Sequence, residues 1–180
     1  MSRFMVIAVG PDQPGVVAAL SGVLVELNCN LSDTQMAVLQ GYSSMMLVVD
    51  APPLLAAEEL HNALVRGVEG LGQTPWVHLL SELSAPAGAG RTWAVSVYGA
   101  DRPGVVFEVT RLLADAHINI LDLQTRQTGS VSFLSMQVDV PAGVDGDELA
   151  AKVDSLGNQL GLSCSIRPMP DAPTGGRGRG

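Results

Sequence analysis

Aromatic residues make up only 4% of this 180-residue chain, and there are two cysteines, Cys29 and Cys164. With so few aromatic rings, the 47% of hydrophobic residues must build a core of Val, Leu, Ile, Ala and Met. The cysteines show neither Cys-x-x-Cys spacing nor a histidine pattern nearby. That argues against a metal site and leaves each thiol as a small hydrophobic side chain. Positive charge is also scarce: 10 Lys and Arg stand against 18 Asp and Glu, a net charge of −8. Such a chain is repelled by phosphate backbones and anionic bilayers, so neither nucleic acid nor membrane is an expected direct partner. No apolar run approaches the roughly 20 residues of a membrane span. The opening "MSRFMVIAVGPD" has one arginine and too short an apolar run for a signal peptide. The cytoplasm is the expected compartment.

Catalytic signatures are missing as well. No serine stands in G-x-S-x-G, and there is no Walker sequence and no G-x-G-x-x-G. His61, His78 and His117 are scattered, with no pair at helical spacing. No catalytic residue, metal ligand or cofactor is expected.

What is present is one unit written twice. "GPDQPGVV" at residues 10–17 returns as "GADRPGVV" at 99–106, an offset of 89. The same offset aligns Asn30 with Asn119, Asp33 with Asp122, Gln35 with Gln124, Ser43 with Ser132 and Leu71 with Leu160, without a gap. Residues 1–83 and 92–169 are therefore read as two homologous domains. "SAPAGAGR" at 84–91 reads as a linker and 170–180 as a disordered Pro/Gly/Arg tail.

Each unit has a legible order. "RFMVIAV" and "TWAVSVY" are β-forming runs. A Pro-Gly turn follows, with Pro placed in the first helical turn. Val16, Leu20, Val23, Leu24 and Leu27 then recur at helical spacing, as do Val105, Val109, Leu112, Leu113 and Ala116. Ser43, Met45, Leu47 and Val49 alternate, matching Ser132, Leu134, Met136 and Val138, which predicts strands with one buried face. "QG" and "GS" ahead of them suit hairpin turns. A second helix carries Leu60, Leu64, Val68 and Leu71, its twin Leu149, Val153, Leu156 and Leu160, and "WVHLLSEL" or "LSCSIRPM" closes each unit. Strand, helix, strand, strand, helix, strand predicts an α+β fold. Each unit becomes a ferredoxin-like antiparallel sheet with both helices on one face. The sheet edges invite pairing, so a homodimer is expected.

The repeated loop has its own chemistry. The first N–H groups of a helix lack partners and carry partial positive charge, a natural seat for a carboxylate. Gly15 or Gly104 lets a ligand approach closely. Asp12 or Asp101 can hold an ammonium, and the amide of Asn30 or Asn119 can reach either end of such a ligand. Together these make a cradle for a free α-amino acid. The plainer alternatives are an Asp that balances a helix dipole, a routine Pro-Gly turn, and an Asn whose left-handed backbone ends a helix. Glu58-Glu59 and Asp147-Glu148, early in the second helices, complement the helix dipole. An RNA-binding use of the sheet would want basic charge and more aromatics than Tyr42 and Phe133. An acylphosphatase-like use would want an arginine in the first loop, which has none.

Strand, D-R-P-G-V-V, helix and N-I-L-D-L-Q, doubled as "DQPGVV…NLSDTQ", resembles the ACT domain, a ligand-binding regulatory module of βαββαβ fold. Two such units without a catalytic domain are similar to the glycine cleavage system transcriptional repressor family. The resemblance implies a non-catalytic, amino-acid-responsive protein that acts through a protein partner without contacting DNA. Glycine or serine is the first expected ligand. It also implies binding where two units meet, through Gly10, Asp12, Gly15 and Asn30, and through Gly99, Asp101, Gly104 and Asn119; Arg102 joins the second set by its place in the loop, and His117, just before Ile118-Asn119, is placed at the rim by its position in the chain. Gln13 in place of Arg102 implies a weaker first site. The alternative is a ligand-free scaffold or a regulatory subunit of a metabolic enzyme.

Overall fold

The computed structural model describes residues 1–80 and 90–170. The chain divides into two compact units at Ser84/Ala85. Most of the stretch read as a linker lies outside the described residues; its last residue, Arg91, opens a strand. Of the expected tail, only Pro170 is described.

The first unit runs β1 (Ser2–Pro11), α1 (Val16–Glu26), β2 (Asn30–Leu39), β3 (Tyr42–Ala51), α2 (Ala57–Gly67) and β4 (Thr74–Leu79). The second runs β5 (Arg91–Ala100), α3 (Val105–Asp115), β6 (Asn119–Thr128), β7 (Val131–Val140), α4 (Gly146–Leu160) and β8 (Ser163–Pro168). Each sheet is antiparallel, ordered β2-β3-β1-β4 or β6-β7-β5-β8. The repeat offset survives in the register: Val6 lies between Leu47 and Val77, and Val95 between Met136 and Ile166. Even the bulges coincide, between Leu31 and Asp33 and between Ile120 and Asp122.

The predicted alternation in β3 is real. Ser43, Met45, Leu47 and Val49 are buried, and Leu134, Met136 and Val138 repeat the pattern in β7. One core gathers Phe4, Val6, Leu20, Leu24, Leu60 and Leu64, the other Val95, Val97, Leu113, Met136, Leu149 and Val153. Cys29 packs beside the first core and Cys164 lies in the second; burial pushes both thiols up in pKa. Gln40 and Gly41 turn the first hairpin with φ of 52° and 77°, the left-handed pair that a two-residue hairpin turn requires.

Four local expectations change. Pro14 and Pro103 precede the helices, because left-handed Gly15 and Gly104 are the N-caps. Leu27 and Ala116 are C-cap residues. The helix α2 ends at Gly67, so Val68 is its C-cap and Leu71 lies in the following turn, where Gly70 and Gly72 take positive φ. The left-handed residues after α1 and α3 are Asn28 and His117, not Asn30 and Asn119, which begin strands.

At the far end of β1, Arg3 Nε donates to Asp50 Oδ1 at 2.8 Å, with the Asp50 side chain 18% exposed. That hydrogen bond holds the Asp50 carboxyl below its usual pKa, against the opposing effect of partial burial. A depressed folded-state pKa stabilises the fold above the unfolded value of about 3.9, and this stabilisation is lost as pH falls through the folded value. Asp50→Asn is expected to lower the urea midpoint more at pH 6 than at pH 3. An equal loss at both pH values would overturn the assignment.

Candidate functional site

The two strand-to-helix loops owe their shape to glycine. Gly15 and Gly104 are N-caps with φ of 97° and 92°, and nothing lies within 4 Å of where a Cβ would stand. Backbone conformation, not crowding, therefore requires glycine there. A glycine N-cap offers no acceptor, and neither α1 nor α3 has a side-chain cap. In α4, by contrast, Asp145 accepts from the N–H groups of Asp147 and Glu148 at 2.9 and 3.1 Å. The starts of α1 and α3 thus keep N–H donors that no side chain caps. The first turn of α1 holds no acidic residue; that of α3 holds Glu108, which is paired with Arg111 at 2.8 Å.

A carboxylate stands just ahead of each of these helix ends, and the two units treat it differently. In the second, Gln127 Nε2 on β6 donates to Asp101 Oδ2 at 2.8 Å, fixing the side chain. In the first, Val38 replaces Gln127, and the Asp12 side chain has no hydrogen-bond partner among the described residues. The amide comes instead from Gln73, whose Nε2 donates to the Pro11 carbonyl at 2.8 Å and to the Ser43 hydroxyl at 3.4 Å. Gln73 is 8% exposed, and its Oε1 is buried without a partner. Leu162 takes its place in the second unit. Sequence reasoning missed both glutamines because the repeat does not align them.

Arg102 also has a specific partner, donating from a guanidinium nitrogen to the Leu160 carbonyl at 3.0 Å. Gln13, at the same place in the first unit, donates to the Leu71 carbonyl at 2.6 Å. The exchange of Gln for Arg, which implied a weakened first site, therefore preserves one brace from the loop, to the Leu71 carbonyl in the turn after α2 or to the equivalent Leu160 carbonyl at the end of α4. Gly10 is needed for space: a Cβ there would lie 2.5 Å from the Gly72 carbonyl and 2.7 Å from Gln73 Nε2. Gly99 has φ of 154° and faces Leu162.

Within one unit the structure gathers the loop residues and leaves the asparagine out. The loop ends of the sheets are the rows Gly10–Ser43–Val38 and Gly99–Ser132–Gln127. Asn30 and Asn119 lie in the rows of Arg3–Asp50 and Thr92–Asp139, at the other ends. Seven residues of strand separate these rows, about 23 Å at the usual rise. His117 lies beside Asn119 at that far end. No small ligand touches the loop and the asparagine of the same unit.

The interhelical clefts are also elsewhere. One of about 370 Å³ between α3 and α4 is lined by Glu108, Arg111, Lys152 and Leu156, and one of about 290 Å³ between α1 and α2 by Val23, Ala63 and Gly67. Neither is lined by any loop or asparagine candidate. Among the described residues, no three His, Cys, Asp or Glu side chains stand together as metal ligands. No helix among them is long and apolar enough to cross a membrane.

Comparison with known proteins agrees with this architecture. Models of the ACT domain match residues 2–74 and 93–158. A UPF0237 protein of Methanopyrus kandleri is 36% identical over 73 residues, 40% of this chain and 81% of that protein. Its counterpart in Methanocaldococcus jannaschii is 38% identical over 74 residues, 41% of this chain and 82% of that protein. Each matched stretch is one unit long. Over both units, a crystal structure from Galdieria sulphuraria superposes with a TM-score of 0.78 at 22% identity, covering 94% of this chain and 99% of that one. A candidate glycine cleavage system transcriptional repressor superposes with a TM-score of 0.67 at 18% identity, covering 94% and 98%. At such identities these two structures share the fold. The doubled loop, the doubled register and the two family matches agree: this chain belongs to the ACT family and consists of two ACT domains in tandem.

Proposed function

We propose that this protein is a non-catalytic sensor of a small free amino acid, with glycine or serine the first candidates. It acts through a protein partner in the transcriptional control of amino-acid metabolism. The observation that carries the reading is the pair of uncapped helix starts, each entered through a left-handed glycine with a carboxylate just ahead. Free N–H donors match an α-carboxylate, and Asp12 or Asp101 matches an α-ammonium. The asparagine, about 23 Å away along the strands, must come from a separate ACT unit. Such a ligand responds to docking and in turn reinforces it, because only the docked state offers both halves of the site.

The second loop is the better organised. Gln127 holds Asp101 in place before any ligand arrives, which reduces the ordering cost of binding. The deciding experiment is thermal unfolding against a panel of free amino acids. A ligand at 100 times its Kd adds about 2.7 kcal/mol, a rise of about 5–10 °C for a chain of this size. Asp101→Ala and Asn119→Ala are expected to abolish the rise. Gln127→Ala should weaken binding about 2- to 10-fold, the worth of one net hydrogen bond. A flat response to the whole panel would sink the reading.

A further inference from the structure

The peptide group joining Pro11 to Asp12 is bonded at both ends. Its N–H donates to the Gly41 carbonyl in the hairpin turn at 2.8 Å, and its carbonyl accepts from Gln73 Nε2 at 2.8 Å. In the second unit the same peptide group joins Ala100 to Asp101. Its N–H donates to the Ser130 carbonyl at 3.1 Å, but Leu162 stands where Gln73 would be and has no donor to offer. There the hold comes from Gln127, which bonds the Asp101 carboxylate itself. Val38, at the Gln127 position, gives the first unit no such bond. Each unit thus has one glutamine for its aspartate. The first grips the backbone and the second grips the carboxylate.

Packing alone does not account for the Gln73 amide. The residue is 8% exposed, and its Oε1 is buried without a hydrogen-bond partner. An unmet buried acceptor is unfavourable, and Leu162 shows that the fold accepts an apolar side chain at this place. The chain also leaves room for the amide, since a Cβ on Gly10 would stand 2.7 Å from Nε2. What glutamine adds over leucine is two donated bonds, to Pro11 and to the Ser43 hydroxyl. The shorter of them acts on the loop.

We propose that Gln73 is the positioning residue of the first loop. It fixes the peptide plane from which the Asp12 side chain extends, and so presents a carboxylate with no other partner among the described residues. Its value for binding rests on the amino-acid reading above: a carboxylate already in place receives an ammonium at a lower ordering cost. The two loops are organised at different points, the first at its backbone and the second at its carboxylate.

The test is amide hydrogen exchange, followed by NMR on the full chain without ligand. Wild type is compared with Gln73→Leu, which copies the second unit, and with Gln73→Met, which keeps the length of the side chain without its donor. The Asp12 amide is the reporter. The Val6 amide, in a residue 0% exposed on β1, reports on the fold of the same unit, and the Asp101 amide on the other loop. Asp12 is expected to exchange about 2- to 10-fold faster relative to Val6, the worth of one net hydrogen bond. Asp101 should not change. No rise relative to Val6 in either variant would mean that Gln73 serves packing alone, and overturns the proposal. Adding Val38→Gln to Gln73→Leu installs the arrangement of the second unit and should return most of the protection; a pair no better protected than Gln73→Leu refutes the equivalence of the two devices. Titration with glycine or serine, followed at the same amides, reads the consequence. In Gln73→Leu the half-saturating concentration at Asp12 should rise about 2- to 10-fold, and an unchanged value there also counts against the proposal. The exchange comparison contains no ligand, so it decides the role of Gln73 even where the wild type binds neither amino acid and the amino-acid reading fails.

Discussion

Leu113→Ala is expected to lower the unfolding free energy of the second unit by about 2–5 kcal/mol, through lost transfer energy and the cavity left behind. Leu113 is 0% exposed and lies on α3, in the buried cluster that also holds Val109 and Met136. A unit of about 80 residues has only roughly 4–12 kcal/mol of stability in all. One truncation therefore removes a large share, a drop of about 10–30 °C in melting temperature. Leu24→Ala should act alike in the first unit, where Leu24 is 2% exposed and occupies the equivalent place. The magnitude follows from composition: a core with almost no aromatic rings rests on many aliphatic contacts, and none of its members is spare. Calorimetry on each variant checks this. A loss under about 1 kcal/mol at either position, below the large-to-small range, would mean that the site collapses around the gap.

Gly10→Ala is expected to cost about 2–3 kcal/mol, near the upper end for forcing one methyl group into a packed place. The new Cβ would lie 2.5 Å from the Gly72 carbonyl, which is backbone and cannot rotate away. Trimming the nearby side chain with Gln73→Ala should not rescue it. Gly99→Ala, at the equivalent position, meets mainly the Leu162 side chain, which can swing aside, so its cost is set by its φ of 154°. That cost is about 1–2 kcal/mol, smaller than at Gly10. Chemical denaturation of both variants, with and without Gln73→Ala, ranks them. Equal losses at Gly10 and Gly99, or rescue by Gln73→Ala, would show that the carbonyl yields. These glycines were singled out as ligand contacts, and the structure adds a packing reason for one and a backbone reason for the other.

The repeat itself was the most informative text in the sequence. An offset of 89 fixed two equal units, and apolar spacing then named the buried faces, since helix and strand periods follow from backbone geometry alone. Element ends were harder to place. Val68 and Leu71 keep helical spacing beyond the end of α2, because periodicity records which face is buried and not where left-handed glycines stop a helix.

The candidate site divides in the same way. Asp-x-Pro-Gly is contiguous, so its local chemistry, free N–H groups behind a carboxylate, was readable before any fold was known. Three features were decided only by tertiary structure. Antiparallel pairing carries Asn119 to the opposite end of the sheet from Asp101, because a strand of 10 residues is longer than any amino acid. Gln127 reaches Asp101 only across the hairpin, and Gln73 reaches Pro11 from a segment 62 positions away. Sequence alone determined what depends on spacing along the chain: the repeat, the helix and strand periods, and the loop chemistry. Which side chains meet depends on strand order and register, and these are set when the core closes.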